Sequence, residues 1–186
     1  MRLNQMLRYV YGKPTIVNKV AFYINEEYMF DHYENIMKHL NPNCFDVVLH
    51  DKFNSENYNY LIERLKSSDH ILVSIAPING EDIVVKNFQN IFENKRIKSI
   101  TYLSATSVYG NHNGNWVDEK SNTNPTSKNG IARLNAEKSW LNIARKKNLP
   151  LQIFRLSGIY SNQNNVLTRL KSGSAKLIEK KKQFFS

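Results

Sequence analysis

Short apolar runs of strand length alternate with longer stretches of helical period along this chain. Residues 19–24 (KVAFYI), 45–49 (FDVVL), 70–76 (HILVSIA), 100–104 (ITYLS) and 151–156 (LQIFRL) have strand length and are rich in β-branched and aromatic residues. Residues 28–40 place Met29, Tyr33, Ile36, Met37 and Leu40 on one side of a helix, which Asn41, Pro42 and Asn43 end. Residues 55–65 read as a second helix, and residues 81–93 as a third with Ile83, Val84, Phe88, Ile91 and Phe92 available for packing. Residues 131–144 predict a further helix whose buried face carries Ile131, Leu134, Trp140, Leu141 and Ala144. A short helix over 164–170 and an edge strand over 175–178 follow, while residues 1–18, with no clear period, several basic residues and Pro14, read as a loosely attached leader. Strand, helix and strand in repeated order predict an α/β fold: a doubly wound, mostly parallel sheet of about five strands with helices on both faces.

Composition narrows the class. A chain of 186 residues with 41% hydrophobic and 23% charged residues can bury one core, so a single domain over 1–186 is expected. It has neither an apolar run of spanning length nor the architecture of a signal peptide, and the lone Cys44 makes no internal disulfide, which together point to the cytoplasm and to no membrane partner. The 26 basic residues against 16 acidic ones leave a formal charge of +10. That surplus follows a bias toward Asn and Lys along the whole chain, without the interleaved aromatic and basic module of an RNA reader, and argues against a nucleic-acid partner. The five histidines show no pairing at metal-ligand spacing, so no metal site is expected.

In an open parallel sheet the first strand-to-helix turn receives a dinucleotide's pyrophosphate, because glycines let the backbone approach and the helix N-terminus offers free N–H groups. Here that turn reads INEEYMF, with no glycine and with Glu26 and Glu27 where negative charge would have to enter. Asp51, just after the second strand, stands where a carboxylate accepts hydrogen bonds from an adenosine ribose, but without the glycines a solvated turn residue is the reading the sequence favours.

Four stretches in order carry a family signature: SATSVYG ending the strand at 100–104, WVDE (116–119) followed by Pro125, AEKSW (136–140) on the helix, and RLSGIY (155–160) on the next strand. This set resembles the extended short-chain dehydrogenases/reductases known as NAD-dependent epimerases/dehydratases, in particular their smaller, atypical members, from about residue 69 to residue 186. The resemblance implies a Rossmann fold, NAD or NADP as cofactor, and a small-molecule substrate such as a sugar nucleotide. Residues 20–51 also resemble the opening segment of polymer-type glycerophosphotransferases, a likeness that covers no catalytic motif.

The resemblance implies a catalytic Ser or Thr four residues before the Tyr of VYG, and a Tyr followed four residues later by Lys on the next helix. The Tyr exchanges a proton with the substrate, the Lys lowers its pKa and holds the nicotinamide ribose, and the hydroxyl orients the reacting oxygen. Here those places hold Ala105, Asn129 and Arg133. Asn129 exchanges no proton at neutral pH, and Arg133 stays charged yet can still hold a ribose or phosphate. The candidate catalytic residues are therefore Thr106, Asn129 and Arg133, and the candidate cofactor contacts Asp51, Ser74, Ala76, Pro77, Ser104, Arg133 and Arg155. Ser104 and Thr106 flank Ala105 but point to opposite faces from it. For Arg155 two readings stand: a ligand contact at the strand end, or a structural ion pair with Glu137. Trp116 is expected to be a buried aromatic of a long loop. After Phe184, Phe185 and Ser186 the family continues into elements that complete the substrate side, so the chain is expected to be truncated there, with an open edge that favours homo-oligomers. A non-catalytic binding or assembly module on the same scaffold is the alternative function.

Overall fold

The computed structural model describes residues 20–24, 45–49, 62–63, 65–93, 97–159 and 165–175, the first two stretches as backbone strands. The leader, the helix over 28–40, the Glu26–Glu27 turn, Asp51 and residues 176–178 lie outside the described residues.

Five strands form one sheet: β1 (Val20–Ile24), β2 (Phe45–Leu49), β3 (His70–Val73), β4 (Ser99–Ala105) and β5 (Leu151–Leu156). Their order is β2-β1-β3-β4-β5 and every pairing is parallel. The chain thus runs outward from β1 to β2, returns across β1 to β3, and then proceeds the other way. This reversal creates a switch point between β1 and β3, where open α/β sheets receive ligands outside the carboxyl ends of their strands. The fold is Rossmann-like. The sequence predicts one strand over 70–76; the ladder stops at Val73, and 74–77 form the loop leaving it.

The core lies on one face of β3 and β4. Register pairs Ile71 with Ile100 and Val73 with Tyr102, and all four are buried. Against them pack Val84 and Phe88 of α1 (Ile83–Phe88), Ile91 and Phe92 of the following 3-10 turn, and Trp140 of α2 (Lys128–Lys147). The single helix expected over 81–93 is divided between α1 and the 3-10 turn Ile91–Glu93. Its start is set locally. Asn79 and Gly80 take positive φ in a tight turn bridged by Ile78 and Glu81, and Asp82 then caps α1 by accepting hydrogen bonds from the N–H groups of Val84 (3.0 Å) and Val85 (2.9 Å).

α2 is longer than its apolar pattern indicated. Ser127 caps it through the Gly130 N–H at 3.0 Å, and Asn148 ends it in the left-handed region behind Arg145, Lys146 and Lys147, whose charge suits the helix C-terminus. Its inward face also differs from the expected one. Ile131 and Leu141 are 45% and 40% exposed, whereas Gly130, Ala136, Glu137, Trp140 and Ile143 are buried. The expected stripe followed apolar side chains alone, and the true one includes a carboxylate. Gly130 is required by contact, since a Cβ there would stand 2.6 Å from the Ser107 carbonyl oxygen. The short helix expected near 164–170 is present as α3 (Val166–Lys171), capped by Asn165.

Trp140 joins the two helices. Its ring meets Phe92 at 5.3 Å and Tyr102 at 6.0 Å between centroids, and its indole N–H donates to Asp82 Oδ2 at 2.9 Å. Trp140→Phe keeps an aromatic ring but leaves a buried carboxylate oxygen without its donor and opens a small void. We expect a loss of about 2 to 4 kcal/mol, measured as a lower denaturant midpoint at unchanged m-value.

Candidate functional site

The chemistry-bearing residues gather where β4 and β5 end against α2. Side chains on β4 alternate, so Ile100, Tyr102 and Ser104 face α2 and the core, and Ala105 turns away. In register, Tyr102 pairs with Ile153 and Ser104 with Arg155, which puts Arg155 on that same face.

The inner face of α2 meets three elements through three polar bonds one to two turns apart. Arg133 Nη1 donates to the Leu103 carbonyl oxygen on β4 at 2.7 Å. Glu137, 1% exposed, takes a two-pronged contact from Arg155 on β5: Nη2 to Oε2 at 2.8 Å, with Nε at 3.1 Å from Oε1 and 3.3 Å from Oε2. Trp140 donates to Asp82 at the start of α1. The hydrogen bonds that Arg155 donates to Glu137 hold its guanidinium protonated beyond the ordinary range, against the opposing effect of burial. Burial pushes the Asp82 carboxyl up from its usual value, and the hydrogen bonds from Val85, Trp140 and Val84 together with the charge of Arg133 work in the other direction.

Beyond β4 the chain turns through a 3-10 turn (Thr106–Val108), and Tyr109 tucks inward so that the Arg155 guanidinium lies over its ring, 4.8 Å from the centroid. Gly110 follows with φ of +74°, and a Cβ there would come within 1.9 Å of the Asn124 carbonyl oxygen. Only glycine permits this crossing, which closes the loop 111–124 through the Asn124 N–H to Tyr109 carbonyl bond at 3.1 Å. His112 Nε2 meets the Asn122 carbonyl at 3.0 Å, and Asp118 is held by Ser121 and the Lys120 N–H, which lower its pKa from the ordinary carboxylate value. Trp116, expected to be buried, is 100% exposed in this loop: the loop is held by backbone and polar side-chain bonds and needs no aromatic inside it.

Of the candidate residues, the fold assembles Ser104, Arg133 and Arg155 at one strand end. Ser74, Ala76 and Pro77 leave β3, the strand beside β4, at the corresponding end, with Ser74 buried and Ala76 exposed. Thr106 is half-buried and opens the 3-10 turn, and Asn129 is exposed in the first turn of α2. Asp82 and Tyr102 were not singled out by sequence. Asp82 was legible as a cap directly before an apolar run; Tyr102 carried no signal beyond its place in a strand. Among the described residues, the Ser104 hydroxyl and Nη1 of Arg155 are buried without a hydrogen-bond partner, and the buried Tyr102 hydroxyl has only the nearby Arg133 guanidinium, outside good hydrogen-bond geometry. Among the described residues no group of His, Cys, Asp and Glu is arranged to hold a metal, and no helix is long and apolar enough to cross a membrane.

No protein-family model matches the chain, and no curated protein does. Among solved structures it is similar to a functionally unknown conserved protein from Silicibacter pomeroyi, at 26% identity and a TM-score of 0.67 over 89% of this chain and 62% of that one. It is also similar to UDP-N-acetylglucosamine 4-epimerase from Bacillus cereus, at 20% identity and a TM-score of 0.61 over 82% and 66%. UDP-glucuronic acid 4-epimerase from the same organism, in complex with NAD, matches at 17% identity and a TM-score of 0.54 over 76% and 48%. The chain therefore spans less than two thirds of the Silicibacter protein's length and about half that of the NAD-bound epimerase. These likenesses show a Rossmann-like fold shared with sugar-nucleotide epimerases.

Burial raises the Tyr102 hydroxyl to about 12, with the nearby Arg133 charge opposing. Because the folded value lies above the ordinary one of about 10, the protein keeps a proton that the unfolded chain releases. This contribution is complete below pH about 10 and is lost as pH rises toward 12, amounting to about 3 kcal/mol over two units. Denaturation midpoints measured against pH should fall over that window, and Tyr102→Phe should flatten the fall.

Proposed function

We propose that this chain is an epimerase/dehydratase-like protein, related to sugar-nucleotide-modifying oxidoreductases, that binds a nucleotide ligand at the ends of β3, β4 and β5 without the usual proton relay for hydride transfer. The observation that carries this reading is Arg133. Its guanidinium is bound to the Leu103 carbonyl at 2.7 Å, at the place where the resemblance puts a Lys that tunes a Tyr. That Tyr is the exposed Asn129, and the hydroxyl position is the methyl of Ala105.

The donor set therefore does not fit NAD or NADP as a working hydride carrier. Glu26 and Glu27 in a glycine-free turn further oppose tight pyrophosphate binding. NADH or NADPH titrated into the protein and followed by calorimetry should bind more weakly than micromolar; tighter binding would overturn this part of the reading. General acid-base groups contribute roughly 10²- to 10⁴-fold, so NAD(P)H absorbance with a panel of sugar nucleotides should show at most trace turnover. The triple change Ala105→Ser, Asn129→Tyr and Arg133→Lys should rescue little. Robust turnover in the natural chain that collapses in Arg133→Ala or Asn129→Ala would refute the proposal.

A second reading, an assembly module, is supported by apolar exposure on β5 and after it. Phe154 and Ile159 are 51% and 58% exposed, and α3 exposes Val166, Leu167 and Leu170. On that reading sedimentation gives a homo-oligomer that Phe154→Lys shifts toward monomer, whereas a monomer at all concentrations excludes it.

A further inference from the structure

We propose that the outer face of α2 is a docking surface for an acidic amphipathic helix of a partner protein. α2 carries six basic residues and one acid. The acid, Glu137, turns inward to Arg155, and of the bases Arg133 and Lys147 are engaged within the fold by the Leu103 carbonyl and Glu93. Lys128, Lys138, Arg145 and Lys146 stand exposed, and among the described residues none of them meets a carboxylate. Apolar side chains share that face: Ile131 and Leu141 are 45% and 40% exposed, and Leu134 is half-buried between them. Residues 131, 134, 138, 141 and 145 succeed one another at alternating spacings of three and four, so Ile131, Leu134, Lys138, Leu141 and Arg145 line one seam along the helix, on the side away from Trp140.

A seam of this repeat, about 21 Å long, is the surface by which one helix receives another, and its composition selects the partner. The apolar members supply contact area, and the cations between them decide which helix is accepted. The complement is a helix with apolar side chains along one face and carboxylates opposite Lys138 and Arg145. A second copy of this chain fails that requirement. Laid parallel in register, or antiparallel about the middle of the seam, it brings Lys138 against Lys138, and the outward face of α2 holds no acid to separate them. Duplex DNA would answer the cations but leave Ile131 and Leu141 without an apolar counterpart. The surface is also preformed: Ser127 and Asn148 fix the ends of α2 and the inward bonds of Arg133, Glu137 and Trp140 fix its seat, so docking requires no folding of this helix. It lies on the far side of α2 from the strand ends, and the inference is independent of the nucleotide-binding reading.

Fluorescence anisotropy with a designed helical peptide, Leu along one face and Glu on both sides of it, tests the surface; controls are the same peptide with Lys for Glu, a scrambled acidic peptide and duplex DNA. The acidic helix should bind the full chain, more weakly as salt rises, and the Lys peptide should not. Lys138→Glu with Arg145→Glu should weaken the acidic helix by about tenfold and admit the Lys peptide, since each pair changes from attraction to repulsion. Leu141→Asn should weaken the acidic helix several-fold with every charge in place. Thermal melts check that the variants fold, and Lys138→Gln with Arg145→Gln replaces the reversal if it does not. The proposal is overturned if the acidic helix does not bind, or binds the charge variant and the natural chain alike. Equal binding of the scrambled peptide or DNA, insensitive to Leu141→Asn, would overturn it in favour of a general polyanion surface. A dimer of the natural chain that the charge variant dissociates would overturn it in favour of a second copy.

Discussion

A carboxylate as buried as Glu137 must be matched, because an ionised group removed from water without a partner costs several kcal/mol. Arg155 matches it from β5, and this one contact fixes how α2 sits on the sheet. Turning α2 about its axis or sliding it by a residue would separate the carboxylate from the guanidinium and would also strain the Arg133 bond to Leu103 and the Trp140 bond to Asp82. Apolar packing alone tolerates small slips of a helix. Three directional bonds to β4, β5 and α1 do not, and because Arg155 also lies against Tyr109, the same constraint reaches the turn after β4.

The alternation of strands and helices was legible because each strand is a short apolar run, and parallel pairing follows from the crossover helix between β4 and β5. The buried face of α2 was not legible from apolar spacing, since Arg133 and Glu137 interrupt it and Ile131 and Leu141 imitate a stripe on the wrong side. A reading that pairs the residues at 133, 137 and 140 by their helical spacing would have recovered it. The ion pair between Glu137 and Arg155 stood as one of two alternatives for Arg155, and the geometry supplies it without excluding a ligand at the atom left over. Trp116 misled because a large aromatic in a long loop is ordinarily buried, and nothing local marks a loop held by Gly110 and Asn124 as independent of it.

Around the ends of β4 and β5, polar side chains of α2 are used to hold the structure together. Arg133 joins helix to strand, and Ala105 contributes a methyl. The polar atoms that remain unpartnered, on Tyr102, Ser104 and Arg155, all lie on the other face of β4 from Ala105 or beside it in register. These unpartnered atoms thus lie toward the layer between sheet and α2.

The two tryptophans occupy opposite extremes of environment, Trp140 sealed between Phe92, Tyr102 and Asp82, and Trp116 wholly in water in the loop after β4. The chain therefore carries two built-in optical probes with separable spectra. Emission from the sealed indole reports on the integrity of the core, and quenching of the open one by a dissolved collider reports on the loop alone. A single fluorescence titration can distinguish an event at the surface of this protein from one that loosens its interior.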